Sequence, residues 1–454
     1  MSLTEHVVSY ITDTPAESIP PEAITAAKRA LLDTTGVALA GVPEDGPTIV
    51  RDMVSRHGPG PVAIIGSAQR AQLLDAALAT GTAAHALDYD DTTLPLHGHP
   101  TAPLLPAVFA LAEERGRSGA ALLDAFVIGF EVEARLGHAV DPSHYGLGWH
   151  ATATAGTLGA AAAGARLIGL DAERTRHALG IALSLAGGSR ANFGSMTKPL
   201  HVGNAARGGL QAVLLAERGF TATEESIGGP MGFLKLFAAE GEDAPERLEA
   251  LGESWGIVDP GINVKRYPCC YGTARAADCL FALIEQHDLR AEQIERIDVR
   301  VEPGGLAALI HPRPKDGLQG KFSMEYVLTA ILLDGEVRLA TFEDEAVLRP
   351  EAQRFLDRIH TSEGATPPEF AGAPKFAHVE VTLAGGGSLV HAVDEAAGSA
   401  DHPLSWDELA DKYRDTAGRV LDMEAIERGI EHFATLETAR SLDGLIADLC
   451  PAGD

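Results

Sequence analysis

The chain has 454 residues, with 36 Lys and Arg against 64 Asp and Glu and a formal net charge of −28. A length above the roughly 250–300 residues at which one core stops growing points to two domains, and 45% hydrophobic with 22% charged residues excludes a disordered chain. The acidic balance and the scarcity of Lys/Arg runs exclude broad nucleic-acid or anionic-membrane partners, but not a small anion held by a few local cations.

Four cysteines, Cys269, Cys270, Cys279 and Cys450, and the lack of an apolar stretch after Met1 predict reduced thiols in a cytoplasmic protein. Helical periodicity dominates the first part. Pro21 and Gly41 bracket a helix over 20–41. Further helices are expected over 71–88, over 119–137 after a Ser118 cap, over 172–188 after an Asp171 cap, and over 202–219. Between them, the nearly uncharged run 145–165 is Ala, Gly and Thr, too weakly apolar for a membrane span, and reads as a packed interior helix. Only PVAIIG around Ile64 reads as extended.

Near Val264 the texture changes. Ile294 to Val301 alternates with period two, and 376–393 reads as two strands around a Gly-rich turn, with helical segments over 274–286 and 324–335. Helical periodicity then returns from Asp407 to Cys450. The expected fold is mainly α: an all-helical domain over 1–262, a smaller α+β domain over 263–404, and a C-terminal helical segment, 405–454, returning to the first.

The densest polar cluster is HALDYDDTTLPLHGHP, from His85 to Pro100. Carboxylates and imidazoles this close shift one another's pKa values, which is how acid/base pairs are made. The same segment also reads as a solvated helix end, or as a metal site on Asp90, Asp91, His97 and His99, although no recognised ligand spacing is present. His150 in GLGWHATATAG stands where a helix begins, a place suited to bind or protonate a carboxylate. Lys198 and His201 in SMTKPLHVG are placed before the next helix, where charge and backbone donors both favour a carboxylate. Lys265 and Arg266 in VKRYPCC lie at the apparent domain boundary, where pockets often form. The adjacent Cys269 and Cys270 lack metal or redox spacing and read as packing residues. Tyr326 in KFSMEYV reads from its pattern as a core aromatic with a wet hydroxyl. GxGxxG, the Walker loop and GxSxG are absent, which disfavours NAD, ATP and acyl-serine chemistry. Acid/base chemistry on a small carboxylate-rich molecule remains.

The segments DYDDTTLPLHGHP, GWHATATAGTLGAAAA, TKPLHVGNAARGG, GGPMGF, KRYPCC and FSMEYV, in that order, resemble the MmgE/PrpD family over essentially the whole chain. That family includes 2-methylcitrate dehydratase, cis-aconitate decarboxylase and iminodisuccinate epimerase. The resemblance implies a helical domain with an α+β lid, a homodimer, an active site between the domains, and catalysis without metal or organic cofactor. Carried over by motif, Thr92, His150, Lys198 and Lys265 hold substrate carboxylates. His99 moves the proton, oriented by Asp88 or its neighbours, and Tyr326 joins the catalytic set. The expected activity is that of a lyase on a di- or tricarboxylate, dehydrating it as 2-methylcitrate dehydratase does. Decarboxylation, epimerisation and carboxylate binding without catalysis are the alternatives. Two departures stand out. The loop from Thr92 to His99 is one residue longer than in the decarboxylase, so either His97 or His99 fits the motif histidine. Cys270 and Ala274 stand where family members often carry a histidine.

Overall fold

Small residues decide the helical part. The Ala151–Ile168 helix has no polar face, since all of it except Arg166 and Ile168 is buried, and a helix apolar on every side belongs in an interior. It packs on the helices Thr101–Glu114, Gly119–Val140, Ala172–Leu185 and Thr197–Glu217. The last of these also crosses Leu73–Ala84 so closely that a Cβ on Gly81 would lie 2.8 Å from the Gly203 Cα, and a Cβ on Gly203 would strike the Leu78 carbonyl. Glycine at both positions is what permits the approach. The predicted caps are present: the Ser118 side chain accepts from Ala121 N at 3.3 Å and Asp171 from Arg174 N at 2.8 Å.

The computed structural model describes residues 1–370 and 375–451; residues 371–374 of the expected α+β domain and 452–454 of the expected C-terminal segment lie outside the described residues. The chain divides into two compact units, 1–264 with 405–454, and 265–404. The first helix of the C-terminal segment, Trp406–Ala417, lies along Pro21–Gly41. There the ammonium of Lys412 meets the Asp33 carboxylate at 2.6 Å, both side chains almost wholly buried. The same ammonium donates to the Tyr89 carbonyl at 3.0 Å and sits 3.8 Å from the Tyr89 ring centroid.

The smaller unit is a four-stranded sheet ordered Ile359–Glu363, Ile294–Val301, Ala377–Leu383, Ser388–Val393. The first pair is parallel and the others antiparallel, with Val299 opposite Val379 and Ile297 opposite Val381. The helix Ala274–His287 covers the last two strands. Its core gathers Ile297, Val299, Leu280, Tyr326 and Val379.

Two expectations are corrected. The helix placed over 202–219 begins at Thr197, so Lys198 and His201 lie inside its first turns rather than before it. The extended stretch near Ile64 is only the two residues Val62–Ala63, paired with Arg70–Ala71. No helix among the described residues is long and apolar enough to cross a membrane.

Candidate functional site

Four pieces of the helical unit converge. The Leu73–Ala84 helix stops at His85, and Asp88 takes a left-handed backbone conformation, φ 53°, which aspartate tolerates better than most residues. The loop that follows is pinned as a two-way bridge: Thr92 N donates to Asn263 O at 2.8 Å, and Asn263 N to Thr92 O at 2.7 Å. It is pinned again where His99 N donates to Thr152 Oγ1 at 3.0 Å. Gly98 fits this contact because any Cβ there would lie 2.8 Å from the Thr152 hydroxyl. His150 is the residue immediately before the Ala151–Ile168 helix, and Lys198 and His201 come from the start of Thr197–Glu217.

At the centre Asp90, fully buried, accepts from His85 Nδ1 at 2.8 and 3.0 Å. The Nδ1 of His99 lies 3.1 Å from the same carboxylate, and its Nε2 lies 3.6 Å from Asp88. The first of these contacts is at charge-pairing distance without hydrogen-bond alignment, since His99 Nδ1 has no hydrogen-bond partner among the described residues. Asp88 in turn receives the Lys198 ammonium at 2.7 Å. The rings stack as a group: His85 edge-on to His99 at 4.6 Å, His85 over His150 at 5.6 Å, and His150 edge-on to Phe193 at 5.0 Å. His150 Nδ1 and His201 Nδ1 are 3.2 Å apart, while His85 Nε2 and His150 Nε2 are buried with no hydrogen-bond partner among the described residues.

Burial pushes the His85 imidazole down to about 4, opposed by the facing Asp90 charge. Burial likewise holds His150 well below the usual histidine range, helped by the neighbouring His85 and Lys198. Asp90 is held well below the usual carboxylate range; burial opposes this, but His85 and His99 outweigh it. The buried histidines are therefore neutral near pH 7 and the carboxylate is charged. A folded-state value below the unfolded one means that the unfolded chain takes up the proton first, so stability falls as pH drops from about 6.5 towards 4. Replacing His85 with Gln should flatten the fall in urea midpoint between pH 7 and pH 5, and equal slopes in the two proteins would contradict this.

Of the residues proposed from sequence, Asp88, His99, His150, Lys198 and His201 come together. Thr92 lies in the same loop. Lys265, Arg266 and Tyr326 belong to the smaller unit: Lys265 is buried, Arg266 is exposed beside the Tyr267 ring, and Tyr326 is a fully buried core residue. The Tyr326 hydroxyl is not wet, because it donates to the Thr341 carbonyl at 2.5 Å. The structure places Tyr326 in the core of the smaller unit. His97 turns away, pairing with Asp141 at 2.9 Å and stacking on Tyr145, so that of the two motif histidines it is His99 that lies in the cluster. The ligand set Asp90, Asp91, His97 and His99 does not form either, since Asp91 is spent on the Thr101 N–H and hydroxyl. Instead His85, Asp88, Asp90 and His99 offer ligand atoms within 4.8 Å of one another, with the Lys198 ammonium already on Asp88. His85 and Phe193 were not singled out from sequence, and Asp90 was singled out only as a metal ligand. His85 and Asp90 lie inside the flagged segment, and their spacing of five residues across a helix end was the available signal.

The family model described as the MmgE/PrpD N-terminal domain matches residues 5–246, and the MmgE/PrpD C-terminal domain matches 267–438. Human cis-aconitate decarboxylase is 30% identical over 457 residues, covering 96% of this chain and 92% of that protein. The mouse cis-aconitate decarboxylase is 32% identical over 376 residues, covering 80% and 75%. The Aspergillus terreus enzyme of the same name is 29% identical over 456 residues, covering 94% and 91%. With both family domains matched in order along a chain that gathers the DYDDT, HP, WHAT and TKPLH residues into one cluster, the protein belongs to the MmgE/PrpD family.

Proposed function

We propose that the protein is a lyase acting on a small tricarboxylate, with His99 as the proton-transfer residue and dehydration as its reaction. The observation that carries this is the placement of His99 against Asp90 and Asp88 with the Lys198 ammonium alongside. The Asp90 charge 3.1 Å from Nδ1 favours a proton there by electrostatics, which leaves the Nε2 lone pair as the base. An ammonium has three donors; one serves Asp88, and the others suit a substrate carboxylate. His150, neutral in the free protein, would be drawn towards its protonated form by an arriving polyanion. It then suits the acid role: the C–H proton passes to His99, the C–O bond breaks, and hydroxide leaves as water with the His150 proton.

Decarboxylation is the second reading, favoured by the names of the relatives. The same cations hold the acid, a C–C bond breaks to release CO₂, and the carbanion takes up the proton. Incubating the protein with 2-methylcitrate and with cis-aconitate, followed by proton NMR and CO₂ detection, separates the two. Turnover of neither, nor of related di- and tricarboxylates, would defeat both.

Lys198→Met should raise KM roughly tenfold or more, the loss of a charge-assisted hydrogen bond, with a smaller change in kcat. An unchanged KM in steady-state assays would remove Lys198 from carboxylate capture.

A further inference from the structure

The chemistry proposed above leaves Arg207 without a task. His201, Asn204, Arg207 and Gln211 recur at three- and four-residue spacing along the Thr197–Glu217 helix, so they share one face. That face forms one wall of a cavity of about 510 Å³, and Leu185 with the Gly187–Gly188–Ser189 turn lines the rest. Its size is that of small-molecule sites. Its lining is rich in donors: a guanidinium fork, two side-chain amides and a hydroxyl. Among the described residues no Asp or Glu lines it. Arg207, half-buried, has no ion pair or hydrogen bond from its side chain among the described residues. In a chain with 64 acidic against 36 basic side chains, a recessed guanidinium left without a carboxylate is a feature to be explained. A planar fork of donors matches the two oxygens of a carboxylate.

We propose that this cavity is a carboxylate-binding site adjoining the His99 cluster and sharing His201 with it, with Arg207 as its anchoring cation, Asn204, Gln211 and Ser189 as neutral donors, and His201 as its link to His150. The link is physical, since His201 lines the cavity and its Nδ1 lies 3.2 Å from His150 Nδ1. The anion preference stands on Arg207; the choice of a polycarboxylate as ligand rests on the proposed function. The carboxylate comes either from the far end of an acid held at the cluster or from a second acid molecule.

Calorimetric titration of the full-length protein with citrate tests this, using wild type, Arg207→Gln, Arg207→Lys and Lys198→Met. Arg207→Gln should weaken citrate binding roughly tenfold or more, or remove one binding event, and Arg207→Lys should restore part of it. Asn204 is exposed, so Asn204→Asp is a second variant that leaves the fold alone, and its new negative charge should weaken binding as well. One molecule bridging both places gives a single equivalent that both Arg207→Gln and Lys198→Met weaken. Two molecules give two equivalents, of which each variant removes a different one. Citrate binding lost in Arg207→Gln but unchanged in Lys198→Met would uphold this site and count against the proposed active site. Affinity and stoichiometry unchanged in both Arg207→Gln and Asn204→Asp would overturn the proposal.

Discussion

Replacing His99 with Ala is expected to lower kcat by roughly 10²–10⁴-fold, the usual contribution of a positioned general acid or base, while the protein stays folded. The fold survives because Asp90 keeps its two hydrogen-bond contacts from His85, so no buried charge is left without a partner. The loop keeps its Thr152 and Asn263 anchors through backbone atoms. Steady-state kinetics on the true substrate, with circular dichroism as the control for folding, reads the effect. A variant within twofold of wild type would remove His99 from the chemistry.

Lys412→Met is expected to destabilise the helical unit by about 3–5 kcal/mol, the cost of leaving one partner of a buried ion pair alone. Asp33 would be stranded at essentially zero exposure, and the Tyr89 carbonyl would lose a donor at 3.0 Å. Because Tyr89 lies between Asp88 and Asp90, the loss should also slacken the acidic arm of the cluster and lower kcat. Pairing the change with Asp33→Leu should recover part of the stability, since an apolar pair replaces a half-satisfied one. Urea unfolding checks both variants. A single-variant loss below about 1 kcal/mol would show that Lys412 behaves as a solvated surface lysine does.

Much of this was legible in the sequence because the chemistry-bearing residues cluster along the chain. His85 to Pro100 supplies four members of the cluster, and a His at the start of a small-residue helix places His150 correctly. What the sequence hid has physical causes. In the sequence Lys198 and His201 fall before the helix, because Pro199 looks like a breaker. Pro199 instead occupies the first turn of its helix, where no intrahelical N–H bond is required. Pro106, which stands inside the Thr101–Glu114 helix past its first turn, concealed that helix as well. The strand Ile359–Glu363 carries mostly polar residues at the sheet edge, so no apolar alternation announces it. Tyr326 matched a family motif, and only coordinates could show its hydroxyl committed to a carbonyl.

The most direct test follows deuterium. In D₂O, wild-type protein given 2-methylcitrate or cis-aconitate should convert one of them, with solvent deuterium appearing in product or recovered acid by NMR, and His99→Ala should do neither at a comparable rate. Conversion and deuterium uptake proceeding equally in His99→Ala would contradict an imidazole at position 99 as the carrier of the proton.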